Sequence, residues 1–475
     1  MPNDELCLLD AVELARLIRE KRVSSREVIQ AHLERIDLVN PALNAVVTLI
    51  REDAISAAER ADALLAKGHI SGPLHGVPVL HKDMHDTKGI RTTYGSTLYA
   101  EHIPESDALI VERLKAAGAI SLGKTNTPEF GAGSQTYNKL FGVTRNPYDL
   151  DKTAGGSSGG SAAALAARLI PLADGTDMGG SLRNPASFCN VVGMRPSAGV
   201  VPGGPSSTAW CTLAVSGPMA RTVGDVALML GAIAGYDPRS PLALPISGSM
   251  FHRPLQRDVN AVRVAWGCNL GGLPVDARVS ETLNKWGRPA FEALGCVVSE
   301  DEPNFSGADE AFRTLRAWYY TVWSGNEYRE HREELNPDLV WNVECGLRLS
   351  GSDLARAEVL RSALYDRMRR FFESYDVLAL PVSQVPPFDA EEHWVTEIEG
   401  SPQETYLDWM RSAYFVSISG LPSISVPCGF TQEGLPVGIQ LVGRPGGDFE
   451  LLQIAQAFET ATEFGKVLPQ EIPFD

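Results

Sequence analysis

The 475-residue chain lacks long apolar segments and has fewer basic than acidic residues. No run of about 18 uncharged apolar residues occurs in it, so the sequence predicts no membrane-spanning helix. It has 42 lysines and arginines against 59 aspartates and glutamates, which gives a formal net charge of −17. Such a surface repels polyphosphates and anionic lipids. We therefore expect neither a nucleic acid nor a membrane as a partner.

Cysteine is also scarce. The seven cysteines are scattered, odd in number and without a C-x-x-C pair, which favours neither a disulfide framework nor a zinc site. The amino-terminal stretch Met1–Glu5 is acidic and has no basic segment followed by an apolar one. No secretory signal is therefore predicted, and the cytoplasm is the expected location. The sequence leaves the oligomeric state open, with a homodimer as one alternative.

Hydrophobic periodicity divides the chain into helical and alternating parts. Residues 1–68 are expected to form an N-terminal helical layer, in which Ser24 to Glu27 fits a capping box. From residue 69 onward, short β-branched runs alternate with helical stretches, which favours an α/β fold. A second helical segment, at about 304–375, carries many aromatic residues. No repeat or polar linker interrupts the chain, so one large unit is preferred to several domains.

One motif resembles a phosphate-binding loop. Gly118–Thr125 satisfies the pattern G-x-x-x-x-G-K-[ST]. A phosphate loop follows a strand and opens a helix, whereas here a helical stretch precedes the motif and Pro128 follows it closely. Nucleotide binding is therefore not favoured.

A second motif, G-x-S-x-G, is centred on Ser158 within Gly156–Gly160 and is typical of the nucleophile elbow of an α/β-hydrolase. That fold needs an acid and then a histidine downstream. Only His252, His331 and His393 follow, and none lies in a short loop near the carboxyl terminus. A Gly/Ser-rich loop that caps the next helix is the simpler interpretation, and the elbow remains an alternative.

Two Gly/Ser-rich loops flank one helix–strand unit. The second loop contains two consecutive glycines before Ser181. The backbone N–H groups of these glycines would converge on an oxyanion while the serine attacks. A base for such a serine is available in Lys82, at the end of an apolar strand. A lysine buried there would have a lowered pKa. The alternative is a solvated lysine beside Asp83.

These residues belong to a longer pattern that resembles the amidase signature family. Six blocks carry the resemblance in the family's order: Gly76–Val79 with Lys82 and Asp83; Gly155–Ala163; Gly175–Ser181 with Arg183; Gly217–Thr222; Gly420–Pro427; and Gly434–Leu441. The resemblance covers nearly the whole chain and is thinnest from about Pro241 to Val377. It implies a single large α/β domain, residues 69–475, with a mixed β-sheet core sandwiched by α-helices.

The resemblance also implies the chemistry. Ser181 is similar to the family's nucleophile, Ser157 to its bridging serine with a cis peptide bond, and Lys82 to its base. The implied oxyanion hole comprises the N–H groups of Met178, Gly179, Gly180 and Ser181, and the implied supporting residues are Thr176 and Arg183. No metal or cofactor is implied.

The substrate is the least constrained feature. The family includes the glutaminase subunit of tRNA amidotransferases, but where that subunit has an Asp-Gln pair this sequence has Ala214-Val215. The expected pocket residues are Trp210, Trp318, Tyr319 and Trp323, with helix packing as the alternative. We expect an amidase for an uncharged, hydrophobic or aromatic amide, anilide or carbamate. The alternatives are a urethane or cyclic-amide hydrolase, and a non-catalytic or complex-dependent amidotransferase-like subunit.

Overall fold

The computed structural model describes residues 3–204 and 206–473, so the first two residues of the acidic amino-terminal stretch lie outside the described residues. The strands within these ranges are β1 (Val46–Leu49), β2 (Pro78–Lys82), β3 (Ile120–Thr125), β4 (Tyr137–Asn138), β5 (Gly142–Val143), β6 (Arg145–Asn146), β7 (Asp149–Thr153), β8 (Leu172–Asp177), β9 (Val192–Arg195), β10 (Val215–Ala220), β11 (Arg263–Trp266), β12 (Val297–Glu300), β13 (Val377–Pro381), β14 (Glu397–Ile398), β15 (Ser401–Pro402), β16 (Ser423–Phe430) and β17 (Pro436–Val442).

The helices within the same ranges are α1 (Asn3–Leu8), α2 (Ala11–Arg19), α3 (Ser25–Leu43), α4 (Arg51–Ala66), α5 (Leu109–Ala116), α6 (Gly159–Ala166), α7 (Arg183–Phe188), α8 (Val223–Ile233), α9 (Ala277–Thr282), α10 (Arg288–Ala293), α11 (Ala308–Trp323), α12 (Gly325–His331), α13 (Pro337–Leu347), α14 (Gly351–Ser374), α15 (Arg411–Ser419) and α16 (Asp448–Thr462). Across the described part of the chain, none of them combines the length and the apolar character that crossing a bilayer requires.

One mixed sheet organises the molecule. Its strand order in the described chain is β1-β3-β2-β8-β10-β9-β16-β17-β13-β11-β12. The β3–β2–β8 and β13–β11–β12 runs are parallel, and the strand pairs from β8 to β13 are antiparallel. The predicted single domain with a mixed central sheet is therefore confirmed.

Helices cover both faces of this sheet. Successive side chains of a strand point to opposite faces. In β13, Val377 and Ala379 pack into one apolar cluster with side chains of α2, α8 and α16, whereas Leu378 and Leu380 pack into another with α11 and α14. The sheet is thus the middle layer, and the apolar alternation of its strands holds a helical layer on each side.

The first 68 residues contribute to the helices and to the sheet. Helix α3 begins with the predicted capping box, because the Ser24 side chain accepts the Glu27 N–H and the Glu27 carboxylate accepts the Ser24 N–H. Between α3 and α4, β1 pairs with β3 at one edge of the central sheet. This strand interrupts the helical pattern of the segment and was not predicted.

The structure removes the phosphate-loop alternative. All but the first two residues of Gly118–Thr125 form strand β3, and no helix begins at its end in the described chain. The side chain of Lys124 is fully buried, and its amino group donates hydrogen bonds to the His85 carbonyl and, at 3.0 Å, to the Thr87 hydroxyl. The amino group of this lysine is therefore already hydrogen-bonded to oxygen atoms of the protein itself.

The topology brings three chain segments together at the carboxyl ends of two neighbouring strands. Strands β2 and β8 are parallel neighbours, so their carboxyl ends, at Lys82 and Asp177, lie on the same side of the molecule. The Gly/Ser loop that precedes α6 reaches these strand ends as well, because the Ser158 N–H donates to the Ser181 carbonyl at 3.2 Å. The residues predicted to carry the chemistry are thereby gathered at one place.

Candidate active site

Lys82 lies at the centre of the site. Its side chain is fully buried, and its Nζ lies within hydrogen-bond distance of three hydroxyl oxygens: Ser157 Oγ at 2.6 Å, Thr176 Oγ1 at 2.9 Å and Ser158 Oγ at 3.1 Å. All three partners are neutral, and none is a carboxylate. The amino group is therefore hydrogen-bonded without being held in an ion pair.

The electrostatics of this environment favour a neutral amine. Burial lowers the pKa of Lys82 to about 7, although the carboxylates of Asp177 and Asp174 act in the opposite direction. Removal from water disfavours an ammonium group because its hydration is lost. Near neutral pH the side chain can therefore accept and release a proton.

The loop that carries Ser157 is fixed by its neighbours. The peptide bond between Gly156 and Ser157 is cis. Ser134 Oγ donates to the Gly156 carbonyl at 2.9 Å, and Thr136 Oγ1 donates to the Gly155 carbonyl at 2.8 Å. The Ser157 side chain is 2% exposed. These contacts hold its hydroxyl against Lys82.

Ser158 occupies the next position along this loop. Besides Lys82, its hydroxyl meets the Thr176 carbonyl at 3.4 Å. The hydrogen bonds of Ser158 within the described residues include no histidine. The nucleophile-elbow alternative lacks the base that it requires.

Asp177 organises the loop that carries Ser181. Its buried carboxylate forms ion pairs with Arg183 at 3.0 Å and Arg195 at 3.2 Å and accepts the N–H groups of Gly180 and Leu182 at 3.0 and 3.2 Å. Burial by itself would raise the pKa of Asp177, but the two guanidinium groups and these hydrogen bonds hold it well below its usual range. The ionised carboxylate folds the loop back on itself.

Arg183 ties the same loop to the rest of the core. Its guanidinium is fully buried and also donates to the Ala413 carbonyl at 3.0 Å, to Ser417 Oγ at 2.6 Å and to the side-chain oxygen of Gln440. Its position at the start of α7 therefore links the loop to α15 and β17. None of these hydrogen bonds involves Lys82, so Arg183 holds the loop in place without contacting the lysine.

The predicted oxyanion donors differ in their availability. The N–H of Gly180 is already donated to Asp177, whereas those of Met178, Gly179 and Ser181 form no hydrogen bond to another part of the described chain. Gly180 has a φ of +107°, and a Cβ built on it would lie 2.5 Å from the nearest side-chain atom. Only glycine fits this close approach.

A cavity of about 190 Å³ opens beside Thr176, one of the three partners of Lys82. Its lining residues are uncharged side chains and glycines: Thr176, Ala198, Gly199, Val201, Gly203, Gly204, Ser206, Thr208, Ala209, Cys211, Ala214, Val215, Ser216, Ser240, Leu242 and Trp323. Thr176 belongs both to this wall and to the contacts of Lys82. The cavity thus borders the Lys82 group at Thr176, whereas Lys82, Ser157 and Ser181 do not line it.

The four aromatic residues predicted for the pocket separate in the structure. Trp323 lines the cavity, where its Nε1–H donates to Thr208 Oγ1 at 2.6 Å, and buried Tyr319 stacks on it with ring centroids 5.4 Å apart. Trp318 is 37% exposed and Trp210 is 74% exposed, and neither lines the cavity. Of the four rings, Trp323 thus lines the cavity and Tyr319 packs against it from behind.

Sequence reasoning missed a buried group behind Lys82. The carboxylate of Asp174 accepts the Lys82 backbone N–H at 2.8 Å, His81 Nδ1 at 2.6 Å and His85 Nδ1 at 2.8 Å. Burial would raise the pKa of Asp174, but the two imidazoles lower it well below its usual range. The available signal was His81 in an otherwise apolar strand, since a buried polar side chain requires a partner.

Comparison with known proteins agrees with this architecture. The family described as Amidase matches residues 27–452. An acylamidase from Rhodococcus erythropolis is 36% identical over 99% of both chains, and a glutamyl-tRNA(Gln) amidotransferase subunit from Moorella thermoacetica is 36% identical over 98% of this chain and 99% of its own. The crystal structure of a bacterial aryl acylamidase of the amidase signature family superposes with a TM-score of 0.90, 29% identity and coverage of 96% and 97%.

The chain therefore belongs to the amidase signature family, and it is an amide-hydrolysing enzyme. Within the described residues, no three histidine, cysteine, aspartate or glutamate side chains are grouped so that they could hold a metal ion.

Proposed function

We propose that this protein hydrolyses amides through Ser181, Ser157 and Lys82, with an acyl group carried transiently on Ser181. The observation that carries the proposal is the buried Lys82 Nζ, which lies 2.6 Å from Ser157 Oγ and has no ion-pair partner among the described residues. A neutral lysine is a base of suitable strength near pH 7.

The proposed reaction is a two-step proton relay. Ser181 Oγ attacks the amide carbonyl while its proton passes to Ser157 Oγ, which in turn gives its own proton to Lys82 Nζ. The resulting oxyanion accepts hydrogen bonds from the unengaged N–H groups of the loop after β8. When the C–N bond breaks, the same relay returns the proton to the leaving amine. Water then repeats the sequence, cleaves the acyl–Ser181 ester and releases the acid.

The cavity supports an uncharged substrate. A charged group there would lose hydration without gaining an ionic partner, since none of the described side chains that line the cavity is charged. The Trp323 and Tyr319 rings favour a hydrophobic or aromatic amide, anilide or carbamate, and Trp323 is the contribution of the 304–375 segment to the wall. The names of the acylamidase and aryl acylamidase relatives agree with this class.

Two alternatives share the same residues. A urethane or cyclic-amide hydrolase would use the same relay on a different carbonyl. An amidotransferase-like subunit would hydrolyse glutamine only within a complex. The similarity to glutamyl-tRNA(Gln) amidotransferase sequences is the reason to test this alternative. The uncharged cavity offers no partner for the charged groups of free glutamine.

Activity of the purified chain alone distinguishes these functions. We expect turnover of an acyl p-nitroanilide in the absence of any partner, and loss of at least about a thousandfold in Ser181→Ala. Cyclic amides, aryl carbamates, short aliphatic amides and glutamine, tested under one condition, rank the substrate class. The proposal would be contradicted if glutamine were the one substrate hydrolysed and if its hydrolysis required a partner protein.

A further inference from the structure

A second hydroxyl at the cavity has a base of its own. Ser216 Oγ lies 3.1 Å from His85 Nε2, and His85 Nδ1 lies 2.8 Å from the Asp174 carboxylate. Ser216 lines the same 190 Å³ cavity as Thr176, whereas His85 and Asp174 are buried behind it. The order of groups is serine, imidazole and carboxylate, with the serine facing the cavity.

The contacts determine the orientation of the imidazole. Asp174 also accepts the Lys82 N–H and the His81 ring. Burial would raise the pKa of Asp174, but the His85 and His81 rings hold it well below the usual range, so that its oxygens only accept. His85 Nδ1 must therefore carry a hydrogen. In the neutral ring Nε2 is then the unprotonated nitrogen, and it accepts the hydroxyl hydrogen of Ser216. This arrangement leaves the lone pairs of Ser216 Oγ directed away from the base.

The sheet places this group beside the Lys82 group without merging the two. Ser216 and Thr176 are direct cross-strand partners of β10 and β8, so their Cβ atoms lie about 5 Å apart. Thr176 contacts Lys82, and Ser216 contacts His85. A hydroxyl bound to Lys82 and a hydroxyl bound to His85 thus lie side by side on the wall of one cavity.

We propose that Ser216, His85 and Asp174 form a second hydrolytic relay, which cleaves small activated aryl esters independently of Ser181. Ser216 Oγ bonds to the ester carbonyl carbon as His85 Nε2 takes the hydroxyl proton. The C–O bond then breaks, and the departing phenolate takes that proton. Water, deprotonated by His85, cleaves the acyl–Ser216 ester, frees the acid and returns the proton to Ser216. A good leaving group is specified because such esters depend least on oxyanion stabilisation.

The chain supplies a matched control. Ser121 Oγ lies 2.8 Å from His81 Nε2, and His81 Nδ1 lies 2.6 Å from Asp174, so this serine has the same kind of hydrogen-bond chain. Ser121 does not line the cavity. Asp174 itself is unsuitable for a test because it also holds the Lys82 backbone.

The experiment measures p-nitrophenyl acetate hydrolysis in a Ser181→Ala background, with circular dichroism to verify folding. We expect the Ser181→Ala protein to retain esterase activity, which falls about tenfold or more on adding Ser216→Ala or His85→Gln and persists on adding Ser121→Ala. A fluorophosphonate should label the tryptic peptide 184–221, and Ser216→Ala should remove that label. Absence of esterase activity in Ser181→Ala, no effect of Ser216→Ala, or equal losses with Ser216→Ala and Ser121→Ala would each overturn the proposal. Because the assay is run without Ser181, its outcome is independent of the amidase proposal.

Discussion

Replacement of Lys82 by arginine tests whether this residue works as a base. With a pKa of about 7, about half of the Lys82 side chains are neutral at pH 7, against about 1 in 3000 at the ordinary value of 10.5. An arginine keeps the positive charge, but its neutral fraction is on the order of 10⁻⁵ or less. A base contributes about 10²- to 10⁴-fold to such a reaction. We therefore expect Lys82→Arg to lose activity by about a thousandfold.

The assay is the pH dependence of kcat/KM for an acyl anilide. Since neutral Lys82 is the active form, the wild-type rate should rise with pH and reach half its plateau near pH 7. Lys82 is fully buried, so the larger arginine can disturb packing, and Lys82→Met provides a variant of similar length without a base. Both variants should be inactive and folded by circular dichroism. A Lys82→Arg enzyme with more than about a tenth of wild-type activity would refute the reasoning.

Three further predictions concern the surroundings of the relay. Gly180→Ala should lower activity, because a Cβ at this position meets its neighbour at 2.5 Å and must displace the loop; the measurements are kcat and thermal unfolding. Trp323→Ala should raise KM for anilides about tenfold while changing KM for acetamide little, with exposed Trp210→Ala as the unaffected control. Arg183→Ala leaves the buried Asp177 carboxylate short of a partner, so urea unfolding should show a loss of about 3–5 kcal/mol in stability.

The sequence predicts those parts of the fold that follow from local patterns. The capping box at Ser24 and the apolar strand that ends at Lys82 need only neighbouring residues, and both are observed. Strand β1 was missed because four residues between two helices carry too short a pattern. Its pairing with β3 is a long-range contact that periodicity does not encode.

The site shows the same division between local and long-range information. Ser157, Ser181 and Lys82 lie in motifs that are readable in one dimension. The Asp174 group escaped prediction because its three donors come from β2 and the turn after it, and they meet the carboxylate only across the sheet. The exposure of Trp210 could not be foreseen either, since an aromatic residue in a loop has no periodicity that assigns it to core or surface.

The most direct test of the central claim locates the covalent intermediate. Trypsin separates the candidate serines, because Ser157 and Ser158 fall in peptide 153–168, while Ser181 is the one serine of peptide 169–183. The enzyme is treated with an aryl carbamate or fluorophosphonate, digested and analysed by mass spectrometry. The account predicts an adduct on peptide 169–183 at Ser181, formed in step with the loss of amidase activity. Complete loss of amidase activity with peptide 169–183 unmodified and the adduct on peptide 153–168 would contradict it.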